Sequence, residues 1–295
     1  MTTAEQTNAE PTSAVSKRHA AGAASARGLL LTVLGEFVLP SGGTALTSAF
    51  IDVLGRLGVE EKASRQALTR TASDGLLTTQ RQGRRTLWQL TPTAEQFLTD
   101  GAERIYNFQA TQPEWDGRWL IVLARVPETE RAARHVLRTR LMWAAFGSPA
   151  PGVWISTHVD RTKEAERVLR EAGVDDGQIF LAEHHAGGPL SAMVREAWDL
   201  DAIEESYEQF VAEFGRPRSG DPVVRTIQLV HAWRRFPRTD PALPAELLPA
   251  RWSGVRAASL FARRRAEWHA AAQAEWRRLI GRPADPRPIQ PLRLK

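Results

Sequence analysis

Between Thr44 and Leu90 the hydrophobic pattern changes period, and this stretch restricts the fold more than any other. Leu46, Phe50, Val53, Leu54 and Leu57 recur at helical spacing and predict a helix over Thr44 to Leu57. A second helix is predicted from about Glu60 to Asp74, stopped by Gly75, a residue that tolerates positive φ. Its apolar side is Ala63, Ala67, Leu68 and Thr71, and its opposite side carries Lys62, Arg65, Gln66, Thr69 and Ser73. Small residues on the inner side allow a neighbouring helix to approach closely. The outer side holds donors of the kind that phosphates and base edges accept from. Residues 76–82, a turn at Gly83 and residues 84–90 then read as a hairpin with arginines at its tip. Two helices followed by a basic ribbon is the layout of a winged helix-turn-helix reader of DNA.

The distribution of charge agrees with that reading. The net charge is only +5, yet Lys62 to Arg85 holds six basic residues against one acid, Asp74. Ala250 to Lys295 holds eleven against three, so the remainder of the chain is net acidic. Such clustering suits a polyanionic partner. The C-terminal patch also reads as a solvated Arg-rich helix face. Cysteine is absent, which excludes a disulfide framework, a thiol nucleophile and Cys-ligated zinc, and fits a reducing cytoplasm. No apolar run reaches the roughly 18 residues of a membrane span, so no membrane partner is expected. Residues 1–25 are rich in Ala, Thr, Ser and Glu without an aromatic residue, and read as a disordered tail.

Three folded parts are expected after the tail, giving an α+β fold class. The first, residues 26–110, adds an apolar helix over Arg27 to Val38 and a loop at Pro40-Ser41-Gly42-Gly43. It ends in a helix from Thr93 to Phe108 that packs through Phe97, Leu98, Ile105, Tyr106 and Phe108. Thr91-Pro92 supplies that helix with an N-cap and an early proline. The second part, residues 111–190, alternates strands (118–126, 152–156, 178–182) with helices (128–142, 161–172), the pattern of a small ferredoxin-like sandwich. The third, residues 191–295, is helical. Leu200, Ile203, Tyr207, Phe210, Val211 and Phe214 mark one amphipathic helix, and Val223, Val224, Ile227, Val230 and Trp233 mark another. A loop from Pro237 to Pro249 and a long helix from Gly254 to Ile280 complete it.

Four segments in order give a specific resemblance. They are Ala63-Ser64-Arg65-Gln66-Ala67-Leu68-Thr69-Arg70 with Asp74-Gly75-Leu76 and Trp88-Gln89-Leu90-Thr91; Trp115-Asp116-Gly117-Arg118-Trp119; Leu137-Arg138-Thr139-Arg140-Leu141 with Phe146-Gly147 and Gly152-Val153-Trp154-Ile155-Ser156; and Leu229-Val230-His231-Ala232-Trp233-Arg234-Arg235-Phe236-Pro237 with Asp240 to Pro244 and Leu247 to Gly254. From about Arg27 to Ile280 the chain resembles the PaaX-type repressors of phenylacetate catabolism. Leu76 stands where many relatives carry Trp, and Thr71 where Leu is usual. The resemblance implies a cytoplasmic homodimeric repressor with a winged-helix head, a Cas2-like middle domain and a C-terminal helical domain. It implies a palindromic double-stranded DNA operator and release by phenylacetyl-CoA or a related acyl-CoA. A regulator of the same family answering to a different ligand is the alternative.

In this reading Arg65, Gln66 and Thr69 enter the major groove, where Arg pairs with guanine, Gln with adenine, and Thr touches a thymine methyl. Lys62, Ser64 and Arg70 hold phosphates, and Arg81, Arg84 and Arg85 present the wing. For the effector, His231, Trp233, Arg234, Arg235, Arg251 and Trp252 lie close to the Pro-rich loop, with guanidiniums for phosphates and indoles for stacking. The same residues have a structural reading, with Trp233 and Trp252 as core and the arginines paired to Asp240 or Glu246.

Enzymatic readings find less support. Asp116, beside the first strand of a Cas2-like domain, could serve a metal-dependent nuclease, but no second carboxylate sits at a matching strand end. Glu183-His184-His185 reads as surface polar sequence, and Ser156 with His158 lacks an orienting acid. No catalytic residue, metal or cofactor is assigned.

Overall fold

A computed structural model describes residues 25–109, 115–185, 187–216 and 220–281. The chain forms two compact units that divide between Glu95 and Gln96.

The first unit begins with helix α1 (Ala26–Val33), capped by Ser25, whose hydroxyl accepts from Gly28 N at 3.0 Å. The helical path continues as a π turn (Leu34–Val38) and a 3₁₀ turn (Leu39–Ser41). Strand β1 (Thr44–Leu46) and helix α2 (Thr47–Arg56) follow, then α3 (Glu61–Ser73) and the hairpin β2 (Leu77–Gln82) and β3 (Arg85–Leu90). The single helix expected over Thr44 to Leu57 is thus shortened. Thr44, Ala45 and Leu46 pair antiparallel with Gln89, Trp88 and Leu87, giving the sheet order β1-β3-β2. The pairing takes these residues out of the helix, and side-chain bonds from Trp88 and Thr47 tie the start of α2 to β3. Trp88 Nε1 donates to Thr47 Oγ1 at 2.9 Å, and Thr47 Oγ1 donates to Thr86 O at 3.1 Å. Leu30, Val33, Phe37, Phe50, Val53, Leu54 and Leu68 make the core, with α1 packed on α3.

Helix α4 (Pro92–Tyr106) starts as its sequence predicts, with Thr91 Oγ1 accepting from Ala94 N at 3.1 Å. Phe97, expected to pack, is exposed.

The second unit contains β4 (Arg118–Leu123), α5 (Arg131–Trp143), β5 (Gly147–Ala150), β6 (Val153–Ser156), α6 (Thr162–Glu171) and β7 (Gln178–Glu183). The sheet order is β5-β6-β4-β7 with every pairing antiparallel, the split-βαβ connectivity. Strand β5 is absent from the sequence reading. It is short, irregular in register and carries Pro149, which an edge strand tolerates because the missing N–H faces away from the sheet. Strand β4 reads as nearly continuous apolar sequence because both of its faces are covered. Leu120 and Val122 join Leu137, Leu141, Val168 and Leu169 under α5 and α6. Trp119 and Ile121 join the aromatic cluster of the C-terminal helices.

Those helices are α7 (Leu190–Ala197), α8 (Leu200–Phe214), α9 (Pro222–Trp233), a short α10 (Phe236–Thr239) and the long α11 (Ser253–Leu279). Asp221 caps α9 by accepting from Val223 N at 2.8 Å and Val224 N at 3.2 Å. Pro237 lies inside α10 rather than in a loop, at the start of the helix where no N–H is needed. Part of the basic C-terminal patch is structural. Arg264 is buried and donates to Phe214 O at 3.0 Å and Gly215 O at 2.9 Å, closing the end of α8. The guanidinium of Arg225 lies 3.9 Å from the centre of the Trp268 ring.

The Pro-rich segment is held by one buried acid. Asp240 accepts from Tyr207 Oη at 2.5 Å, Ala242 N at 2.7 Å and Gln109 Nε2 at 3.1 Å. Burial raises its pKa above the ordinary carboxylate value, against the lowering effect of those bonds. The folded state therefore keeps the proton to higher pH than the unfolded chain. Over the window from the unfolded pKa up to the raised folded one, the unfolded state binds fewer protons and stability falls as pH rises. Urea midpoints of the wild type and Asp240→Asn, compared from pH 4 upward, should diverge, with the wild type alone losing this component as pH rises. Parallel curves would remove Asp240 from the linkage.

Candidate nucleic-acid interface

Helix α3 divides into two sides. Ala67, Leu68 and Thr71 are buried, the Thr71 hydroxyl donating to Ala67 O at 2.8 Å. Lys62, Arg65, Gln66, Thr69 and Arg70 are exposed and, with Glu61, line a shallow depression. Ser64 belongs to the other set. It is fully buried, its hydroxyl donates to Glu60 O at 3.1 Å, and the phosphate contact expected of it is corrected to a packing role. Ala63, expected on the apolar side, is only half-buried there. A shift of one residue on a helix turns a side chain by about 100°, enough to exchange these two neighbours.

The helix ends as the glycine demands. Gly75 has φ +75°, and the reversed chain bonds Gly75 N to Ala72 O at 2.9 Å and Leu76 N to Thr71 O at 3.1 Å. This fixes the direction in which β2 leaves. The hairpin closes through Gly83-Arg84, since Gln82 pairs with Arg85. Gly83 has φ +62°, the sign that primed hairpin turns need at their first central position. Arg81, Arg84 and Arg85 are all exposed around this tip.

Two acids, one of them missed in the sequence, shape the cationic surface. Arg65 is held by Glu61 one turn before it, Nε to Oε1 at 2.9 Å and Nη2 to Oε1 at 2.7 Å. The spacing i, i+4 is the signal from which that pair could have been read. Asp74, the one acid of the basic stretch, is engaged by Arg27 of α1. Thr69 donates its hydroxyl to Arg65 O at 3.0 Å. That spends its donor on the helix and leaves the methyl group as its outward feature.

The residues expected to receive an effector do not form one site. Trp233 is fully buried, donates Nε1 to Ile105 O at 3.0 Å and stacks on Phe261 with ring centres 4.7 Å apart. Trp252 is buried edge-on against Tyr207 at 5.8 Å. For both indoles the structural reading is the correct one. His231 and Arg234 are half-buried, and burial followed by the neighbouring Arg238 lowers the pKa of Arg234. Arg251 is exposed on left-handed backbone with φ +68°. Arg235 is exposed and donates to Ser206 O at 3.1 Å, while Asp240, its expected partner, is taken by Tyr207 and Gln109.

At the remaining acidic candidate, Asp116 accepts from Arg118 N at 2.9 Å and Nε at 2.7 Å, and this pairing holds its carboxyl below the usual range. His158 Nε2 lies 2.8 Å from Pro241 O, and burial lowers its pKa. Among the described residues no helix is long and apolar enough to cross a membrane, and no group of three His, Cys, Asp or Glu residues is placed to hold a metal.

Comparison with known proteins bears on all parts of the chain. Residues 25–94 match the family model described as PaaX-like protein, residues 112–194 the PaaX protein central Cas2-like domain, and residues 198–278 the PaaX-like protein C-terminal domain. The transcriptional repressor PaaX of Escherichia coli K12 is 32% identical over 263 residues, covering 82% of this chain and 81% of that protein. The fold is similar to the solved structure of uncharacterized protein Rv0674 from Mycobacterium tuberculosis. The TM-score is 0.56 and the identity 24%, over 85% of this chain and 100% of that one.

Proposed function

The chain belongs to the PaaX family, and from that premise we propose that it is a ligand-responsive transcriptional repressor. In this reading residues 26–110 are a winged helix-turn-helix head, residues 111–190 the Cas2-like domain and residues 191–295 the helical domain. The head binds a palindromic operator as part of a homodimer, because a two-fold site mirrors two-fold protein symmetry. Phenylacetyl-CoA or a related acyl-CoA releases it. The reading assigns no reaction to the chain and places it in the cytoplasm.

One observation carries it. Within a single compact unit, Lys62, Arg65 and Arg70 on a helix and Arg81, Arg84 and Arg85 on a hairpin are all exposed, while the other side of that helix is buried. Such an arrangement presents cations to a groove at no cost to the core. Arg65, Gln66 and the Thr69 methyl face the bases, and Lys62, Arg70 and the hairpin arginines face the phosphate backbone.

The reading predicts a salt dependence. If about three of these five cations per protomer each neutralise a phosphate, about six per dimer, the plot of log affinity against log salt should have a slope of roughly −5. Fluorescence anisotropy of a labelled operator at several salt concentrations measures it. A flat response would remove the electrostatic basis of the proposal.

A further inference from the structure

The second unit contains a cleft of about 1960 Å³ whose walls come from both of its parts. Arg125, Arg134 and Arg138 line it from the Cas2-like domain, and Arg235 and Arg238 from the short helical region around α10, which packs against α5. All five are exposed. Several other arginines of this unit are paired with acids, as in Arg118–Asp116, Arg140–Glu171, Arg167–Glu164 and Arg264–Glu267. In the cleft, among the described residues, no carboxylate lies within ion-pairing distance of the five. Glu128, Glu130, Asp176, Glu196 and Asp199 line the same walls without reaching them, and Asp199 is occupied in capping α8, accepting from Ala202 N at 3.1 Å. Arg134 and Arg235 bond only backbone carbonyls, of Glu128 at 3.1 Å and Ser206 at 3.1 Å. Arg134 and Arg138 stand one helical turn apart, a like-charged spacing that weakens an isolated helix. Five guanidiniums without an acid partner form a grouping that a bound anion would stabilise.

The other lining groups specify more than charge. Trp143 ends α5 with 53% of its surface exposed, beside Met142 at 51%, and both line the cleft. A large exposed indole next to a thioether is a place for a flat or apolar group. Trp198, which is buried, also lines the cleft.

We propose that this cleft binds a ligand carrying more than one phosphate and a flat apolar arm, the phosphates on the arginine cluster and the arm on Trp143. The assignment rests on the reading above insofar as an acyl-CoA effector has this chemistry. It moves the effector site from His231, Trp233, Arg234, Arg251 and Trp252 to Arg125 and to residues of α5 and α10, keeping only Arg235.

Isothermal titration of the full chain with phenylacetyl-CoA, free CoA and adenosine 3′,5′-bisphosphate tests it. The variants are Arg134→Ala/Arg138→Ala, Arg235→Ala/Arg238→Ala and Trp143→Ala, all at exposed positions, with melting temperature as the check on folding. Each arginine pair should weaken every probe by about tenfold or more, as expected when charge-assisted bonds are lost. Trp143→Ala should weaken the thioester and spare the bisphosphate. Wild-type affinity in all three variants overturns the cleft assignment and leaves the effector reading standing. Loss of bisphosphate binding in the arginine variants, with a thioester that binds no better than CoA and leaves the operator bound, keeps the cleft and sinks the acyl-CoA effector. A wild type that binds none of the three probes overturns both.

Discussion

Arg65→Ala should abolish the preference for operator over random duplex while leaving the protein folded. A bidentate Arg–guanine contact is worth about 1–3 kcal/mol of discrimination per base, and a two-fold complex contains it twice. Specific affinity should therefore fall by roughly two orders of magnitude, and affinity for random DNA by far less. Folding is spared because the Arg65 side chain is 58% exposed and its one ion pair, to Glu61, lies one turn away on the same surface. Exposed pairs at this spacing contribute about 0.3–0.5 kcal/mol. That pair supplies a second arm to the experiment. Glu61→Gln frees the guanidinium and removes a negative charge from beside the groove, so affinity for any duplex should rise. Competition binding with labelled operator and unlabelled random DNA separates the two effects. An Arg65→Ala protein that still selects its operator would mean that α3 does not read bases.

Legibility in the sequence followed the physics of each segment. Helix α3 was readable almost to the residue, because Gly75 punctuates it and a 3.6-residue period sorts its sides. The hairpin was readable from Gly83 and flanking β-formers. Strand β1 was not, because Thr44, Ala45 and Leu46 carry no strand signal of their own and become extended only by pairing with β3, more than forty residues later in the chain. Strand β5 was hidden for a similar reason, its register being set by β6 and its Pro149 reading as a breaker. Of the residues expected to contact DNA, all but Ser64 are exposed, since exposure on one amphipathic helix or at a hairpin tip is a local property. The effector set fares worse because it was chosen by closeness in sequence. Arg125 follows β4, Arg134 and Arg138 lie on α5 and Arg238 on α10, and the packing of α10 on α5 brings them together. The one local hint was the repeated arginine at i, i+4 in Arg134 and Arg138.

Trp233 separates the two readings of the C-terminal motif most sharply. Its indole is fully buried, with Phe261 stacked at 4.7 Å and Phe236 and Phe210 at 5.1 and 5.3 Å. Its N–H closes on the carbonyl of Ile105 in α4. Removing it leaves a large apolar cavity and an orphaned carbonyl. Core Trp→Ala changes cost about 3–5 kcal/mol, against a total domain stability of about 5–15 kcal/mol. Trp233→Ala should therefore lower the urea midpoint of the second unit drastically or prevent its folding, and any loss of ligand binding would follow from that. Trp233→Phe keeps most of the ring packing and should recover most of the stability. Arg235→Ala, at an exposed position in the same motif, should change the unfolding free energy by no more than about 0.5 kcal/mol while weakening a phosphorylated ligand. The contrast follows from burial alone: one side chain is enclosed by five rings and the other opens on the cleft. A Trp233→Ala protein with the wild-type urea midpoint and no affinity for the thioester would reverse the assignment and return the indole to the binding site.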